Sequence, residues 1–84
     1  MVASSWVEQV RSLLAEAFEI PLDEIPPDLE FGGIRKWDSM GHMEIMLRLE
    51  VQYGIGLDAD LIRTLTSITA IAACIEEKSN DTNT

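Results

Sequence analysis

The residues best placed to do chemistry lie in one short stretch, Trp37-Asp38-Ser39-Met40, ahead of an apolar and acidic segment that reads as a helix. A serine at a helix start presents its hydroxyl beside unpaired backbone N–H groups and the positive end of the helix dipole. Both favour a phosphate on that oxygen. Ser39 therefore suits the attachment of a phosphodiester-linked group. The competing reading is plainer: Ser39 is only an N-cap, a common use of serine. His42 follows one turn later, so Ser39 and His42 could be taken for a nucleophile and its base. No oxyanion hole or substrate pocket accompanies them, and the pair alone is weak support for catalysis. His42 reads better as a solvated helix residue or a docking contact. Asp58-Ala59-Asp60 begins like a calcium loop, but Arg63 stands where the glycine is required and Thr69 where the glutamate is. No His, Cys and carboxylate set offers zinc a site. No metal is expected.

The elements that must hold Ser39 can be read from periodicity and punctuation. A first helix is predicted from near Ser5, where Ser5-Trp6-Val7-Glu8 has capping-box spacing. Val7, Val10, Leu14, Ala17 and Phe18 form its apolar stripe, and Pro21 marks its end. Residues 21 to 37 carry Pro21, Pro26, Pro27, Gly32 and Gly33 and read as a long loop. Loops of this length in small domains are often functional. Ile25, Leu29, Phe31 and Ile34 would pin it to the helices. A second helix is predicted from about Ser39, as cap, to Tyr53, stopped by Gly54. Ile45, Met46, Leu49 and Tyr53 make its core stripe. Met40, Met43 and Leu47 make a second stripe, offset by roughly a quarter to a third of a turn. That second face is either a docking surface or simply buried in a crowded bundle, and periodicity alone favours burial. A short helix is expected over Ala59 to Thr64. A last helix runs from Thr66 or Ser67 to about Lys78, with Ile68, Ile71, Ala72 and Ile75 on its apolar side. The expected fold is all-α: three principal helices, one short helix and a long first loop.

Composition narrows the function. At 84 residues the chain makes one domain, with little room for a walled active site. Six basic against fifteen acidic residues give a net charge of -9, which repels nucleic acid and anionic membranes and favours partners with basic surfaces. An acidic surface also serves plain solubility. A single cysteine, Cys74, excludes an internal disulfide and reads as a small buried hydrophobe. No segment approaches a membrane span, and the start lacks a signal peptide's pattern. A cytoplasmic monomer is the expectation.

Taken together, Asp38-Ser39-Met40, a helix bearing Glu44, Leu47, Leu49 and Glu50, its Tyr53-Gly54-Ile55 close, and Leu65-Thr66-Ser67-Ile68 before the last helix resemble the acyl carrier protein family, including peptidyl carriers of similar fold. The resemblance covers residues 5 to 78, the expected carrier domain, with 1–4 and 79–84 as flexible tails. It implies that Ser39 takes a 4'-phosphopantetheine arm from coenzyme A through a phosphopantetheinyl transferase and holds cargo as a thioester. It implies a carrier and not a catalyst. Asp38 matches the motif acid, with an implied role in transferase recognition near the metal that enzyme uses; its other reading is a carboxylate favoured by the helix dipole. Met40, Met43 and Leu47 fall at apolar docking positions, Glu44 and Glu50 at acidic ones. The implied partners are loading enzymes, synthase domains or transferase domains with basic docking surfaces.

Gly41 and His42 depart from the usual acidic or small polar residues, and Gly41 costs helix stability while allowing an enzyme's close approach. Arg48 and Val51 dilute the acidity of the second helix, and Arg35 and Lys36 precede the motif. These features point to a dedicated polyketide or non-ribosomal peptide pathway over bulk fatty acid synthesis. The initiating methionine and short polar end read as a free-standing protein, an excised domain being the other reading. The alternative function is an unmodified, carrier-like interaction module. The cargo, and the role of Trp37, are not written in the sequence.

Overall fold

The computed structural model describes residues 4–81, with side chains as far as residue 79. Four α-helices follow in order: α1 (Ser4–Phe18), α2 (Ser39–Tyr53), α3 (Ala59–Thr64) and α4 (Ile68–Asp81). No strand occurs among the described residues, and the long loop between α1 and α2 contains one 3-10 turn, Leu22–Glu24. The all-α bundle expected from periodicity is the observed one. The last helix runs three residues past Lys78, so residues 79–81 of the expected polar tail are helical. Residues 1–3 and 82–84 of the expected tails lie outside the described residues.

Each helix is bounded by local chemistry. α1 ends where Glu19 turns left-handed, at φ 57°, and the Ile20 N–H reaches back to the Ala15 carbonyl at 3.1 Å. This is a Schellman-type close, which comes before Pro21 is reached. α2 is capped by Asp38, not by Ser39: the Gly41 N–H donates to Asp38 Oδ1 at 2.9 Å. Ser39 is thereby moved into the first helical position. Gly54, left-handed at φ 67°, closes the other end. Asp58 caps α3 through the Leu61 N–H at 2.8 Å, and Ser67 Oγ accepts the Ala70 N–H at the start of α4 at 3.0 Å.

α1 packs against both α4 and α2. Val10 and Leu14 of α1, Ile45, Met46 and Leu49 of α2, and Ile68, Ile71 and Ile75 of α4 fill the core. Tyr53, expected in the core stripe, is half-buried; its hydroxyl donates to Gln9 Oε1 at 2.9 Å and ties α2 to α1. The long loop supplies Ile25, Leu29 and Trp37, all buried. It is also hydrogen-bonded in place. Arg11 donates to the Ile25 and Leu22 carbonyls while pairing with Glu8. The Phe31 N–H donates to the Thr66 carbonyl at 2.8 Å, and the Ile68 N–H to the Leu29 carbonyl at 3.1 Å. The backbone N–H and carbonyl groups of an irregular loop need such partners when they are covered. Of the four expected anchors, Ile25 and Leu29 are buried, Ile34 is partly so, and Phe31 stays exposed.

Candidate functional site

Ser39 sits exposed in the first turn of α2, its side chain not used in capping. The first N–H groups of a helix have no intrahelical partner, and here Asp38 engages only that of Gly41. The remaining turn keeps the polarity that favours an esterified phosphate at Ser39. Division of labour between neighbours explains this: the carboxylate caps, which leaves the hydroxyl for chemistry. Replacing Asp38 by alanine should cost about 1 kcal/mol of stability, the usual worth of a side-chain cap. Urea denaturation measures it; an unchanged midpoint would contradict the capping role.

Beside Ser39 lies an open groove of about 330 Å³, lined by Phe31, His42, Met43, Ile62, Arg63 and Thr66. Its lining joins the end of the long loop, α2, α3 and the approach to α4. Only Ser39, Met43 and His42 of these were singled out by sequence. Phe31 stood out merely as a loop anchor, Arg63 only as the residue that breaks a calcium-loop pattern and Thr66 only at the approach to the last helix; Ile62 carried no signal, and all four meet the site only through the fold.

His42 corrects its sequence reading. It is 5% exposed, not solvated. Its ring stacks on Trp37 at 6.2 Å between centroids and meets Phe31 edge-on at 5.4 Å. Trp37 Nε1–H donates to His42 Nδ1 at 3.0 Å, and His42 Nε2 lies 2.7 Å from the Ile62 carbonyl oxygen. An indole N–H can only donate and a carbonyl can only accept. The imidazole is therefore neutral, with its proton on Nε2. Both nitrogens are engaged, so His42 has no lone pair to offer the Ser39 hydroxyl. The nucleophile-and-base arrangement is not formed. Trp37, whose role was open, is fully buried in the core and packs against Phe18.

Gly41 also serves the interior. A Cβ there would lie 2.0 Å from the Lys36 carbonyl oxygen and 3.0 Å from Phe18 Cε1. The first turn of α2 touches the loop backbone itself, so the close approach is made by this chain's own loop.

The second face of α2 is exposed, against the reading that periodicity alone favoured. Met40 is 84% exposed, Met43 43% and Leu47 52%. Val51, at 85%, extends the row. Met40, Leu47 and Val51 stand seven and then four residues apart, which places them nearly in line along the helix. The same spacing rule could have added Val51 from sequence. Met43 lies to the side, at the groove. Glu44 and Glu50 are exposed on the same helix. Glu44 is not a lone charge: Arg48 Nε donates to it at 2.8 Å and reaches Glu16 of α1 at 3.3 Å. Exposed pairs of this kind contribute little to stability, but they blunt the acidity of the face at its middle. Glu50 makes no ion pair among the described residues.

Cys74 is half-buried, and burial, with Glu77 nearby, pushes its thiol up. A raised pKa keeps the nucleophilic thiolate scarce at neutral pH. Alkylation of Cys74 by iodoacetamide should therefore be slower than that of a free thiol at neutral pH and accelerate as the pH rises. Equal rates at neutral pH would contradict this.

No group of three or more His, Cys, Asp or Glu among the described residues is arranged to hold a metal. No described helix is long and apolar enough to cross a membrane.

A domain of this shape, an exposed serine starting its second long helix beside an apolar groove, is what a carrier of a tethered group requires. The family model for the phosphopantetheine attachment site matches residues 8–75. Over 75 residues the chain is 31% identical to a protein named Polyketide-8 synthase acyl carrier protein 2 from Streptomyces avermitilis, an alignment covering 89% of this chain and 86% of that one. No solved structure matches it significantly. The chain belongs to the acyl carrier protein family, whose domain is a phosphopantetheine attachment site and whose members are carriers.

Proposed function

We propose that Ser39 is the residue that carries the 4'-phosphopantetheine arm and that the protein presents an acyl or aminoacyl group, held as a thioester, to successive enzymes. The observation that carries this reading is the position of Ser39: exposed, in the first turn of α2, released from capping by Asp38, and beside the groove. The arm supplies a thiol on a long flexible tether. The protein's own residues supply the rest. Asp38 fixes the turn that displays the hydroxyl, the helix start favours the phosphate, and Phe31, Met43 and Ile62 offer apolar surface next to it. The 31% identity to a polyketide synthase carrier supports a place in polyketide or related specialised metabolism.

Partner enzymes dock along α2. Met40, Leu47 and Val51 give an apolar row for affinity, with Met43 at its edge. Glu44 and Glu50 give orientation against basic surfaces, a role charges perform through association rate and register more than through affinity. The phosphopantetheinyl transferase is one such partner, with Asp38 at the point it must approach. Loading enzymes and synthase or transferase domains are the others. The net charge of -9 supports basic partners and disfavours nucleic acid. A cytoplasmic monomer fits this reading.

Intact-protein mass tests it. After incubation with coenzyme A, magnesium and a broad-specificity phosphopantetheinyl transferase, the wild type should gain one phosphopantetheinyl group and Ser39→Ala none. No gain in the wild type, with an established carrier modified in parallel, would favour an unmodified interaction module.

A further inference from the structure

α3 forms part of the groove beside Ser39, yet little holds it. It has six residues and none is fully buried; Leu61 and Ile62 are half-covered. A helix this short is not stable by itself. Asp58 caps its start, and among the described residues one hydrogen bond joins it to α2: His42 Nε2–H to the Ile62 carbonyl, 2.7 Å. The same ring accepts from Trp37, two residues before Ser39, at 3.0 Å. Three pieces of the site are thus tied through one buried imidazole: the loop that leads into Ser39, the first turns of α2, and α3.

We propose that His42 is a positioning residue for modification of Ser39. It acts through Trp37 and Ile62 to hold α3 as the second wall of the groove against which the transferase finds the serine. This rests on the reading of Ser39 as the attachment site. Segments with few buried apolar contacts sit at the low-stability end of a fold, where one hydrogen bond decides how often they open. A net hydrogen bond is worth about a fivefold change in such an opening equilibrium. The neutral ring matters as well as its bulk, because one nitrogen must accept while the other donates.

The test uses His42→Phe, which keeps a ring of similar size without either hydrogen bond, and His42→Gln, which retains one acceptor and one donor. Two quantities are measured on the apo-protein. Amide hydrogen exchange at Ile62 and Leu65 reports α3, with Leu14 and Ile71 reporting the bundle. Steady-state kinetics of the transferase, at saturating coenzyme A, report recognition. In His42→Phe the α3 amides should exchange about fivefold or more faster, on the worth of one lost bond, while the bundle amides hold. The transferase KM for the carrier should rise several-fold with kcat within about twofold, as expected when recognition and not chemistry is lost. His42→Gln should recover most of both. If His42→Phe does not fold, Trp37→Phe, which removes the donor to Nδ1 along with part of a buried ring, carries the same test, read as α3 exchange relative to that of the bundle amides. Unchanged α3 exchange in the folded variant would overturn the tie. Faster α3 exchange with an unchanged KM would overturn its role in modification. A wild type that is not modified at all would overturn the attachment-site reading, and the positioning role with it, whatever the exchange data show.

Discussion

Gly41→Ala should destabilise the protein by about 2 kcal/mol or more, although the same change inside an ordinary helix is worth up to about 1 kcal/mol of added stability. The sign reverses because of what the methyl would meet. Its Cβ would lie 2.0 Å from the Lys36 carbonyl oxygen and 3.2 Å from the carbonyl carbon. Those are backbone atoms and cannot rotate away. Either the loop entering Ser39 or the first turn of α2 must shift, and Trp37 and Asp38 shift with it. Urea denaturation by circular dichroism measures the effect. A Gly41→Ala protein as stable as wild type, or more so, would show that the loop and helix are not packed backbone to backbone. Because the displaced segment contains Ser39, the proposed attachment residue, modification should slow as well, even where the variant remains folded.

Trp37→Ala should cost more. Truncating a large buried aromatic typically removes about 3–5 kcal/mol, and Trp37 is fully buried against Phe18 and His42. The indole N–H that His42 Nδ1 accepts would go with it, leaving a buried acceptor without its donor at a further cost of about 1–3 kcal/mol. A chain of 84 residues has about 4–13 kcal/mol of total stability at the usual 0.05–0.15 kcal/mol per residue. Trp37→Ala should therefore be largely unfolded or close to it at room temperature. Trp37→Phe, which keeps an aromatic ring, should remain folded with an intermediate loss. Thermal melts of both variants check the order; a Trp37→Ala protein with a near-wild-type melting temperature would contradict the role given to this side chain.

How far the sequence reaches can be seen by comparing α3 with His42. The short helix runs from Ala59 to Thr64, as its sequence predicts, because its start depends on the adjacent Asp58. Gly54 is equally local, and α2 stops there. The cap of α2 was misassigned by one residue. Asp38 and Ser39 are both good caps, and only the backbone geometry decides between them. His42 failed differently. Its burial depends on Trp37 from the loop and Ile62 from α3, residues that are brought to it by tertiary folding, so a helix position beside an exposed serine gave no sign of it. Trp37 and Gly41 share that cause. The exposed face of α2 illustrates a third limit: periodicity reports that a stripe is apolar, not whether another element covers it. The serine was legible because a motif, a helix start and a family pattern coincide in one short stretch.

The central claim is that Ser39 alone bears the arm, and peptide mapping of the modified protein tests it most directly. After reaction with coenzyme A and the transferase, the protein would be digested and each serine-containing peptide fragmented in the mass spectrometer. One phosphopantetheinyl group is expected on the peptide containing Asp38-Ser39-Met40, and none on those bearing Ser4, Ser5, Ser12, Ser67 or Ser79. The group on any other residue, or an unmodified Ser39 peptide under conditions that fully modify a known carrier, would contradict it.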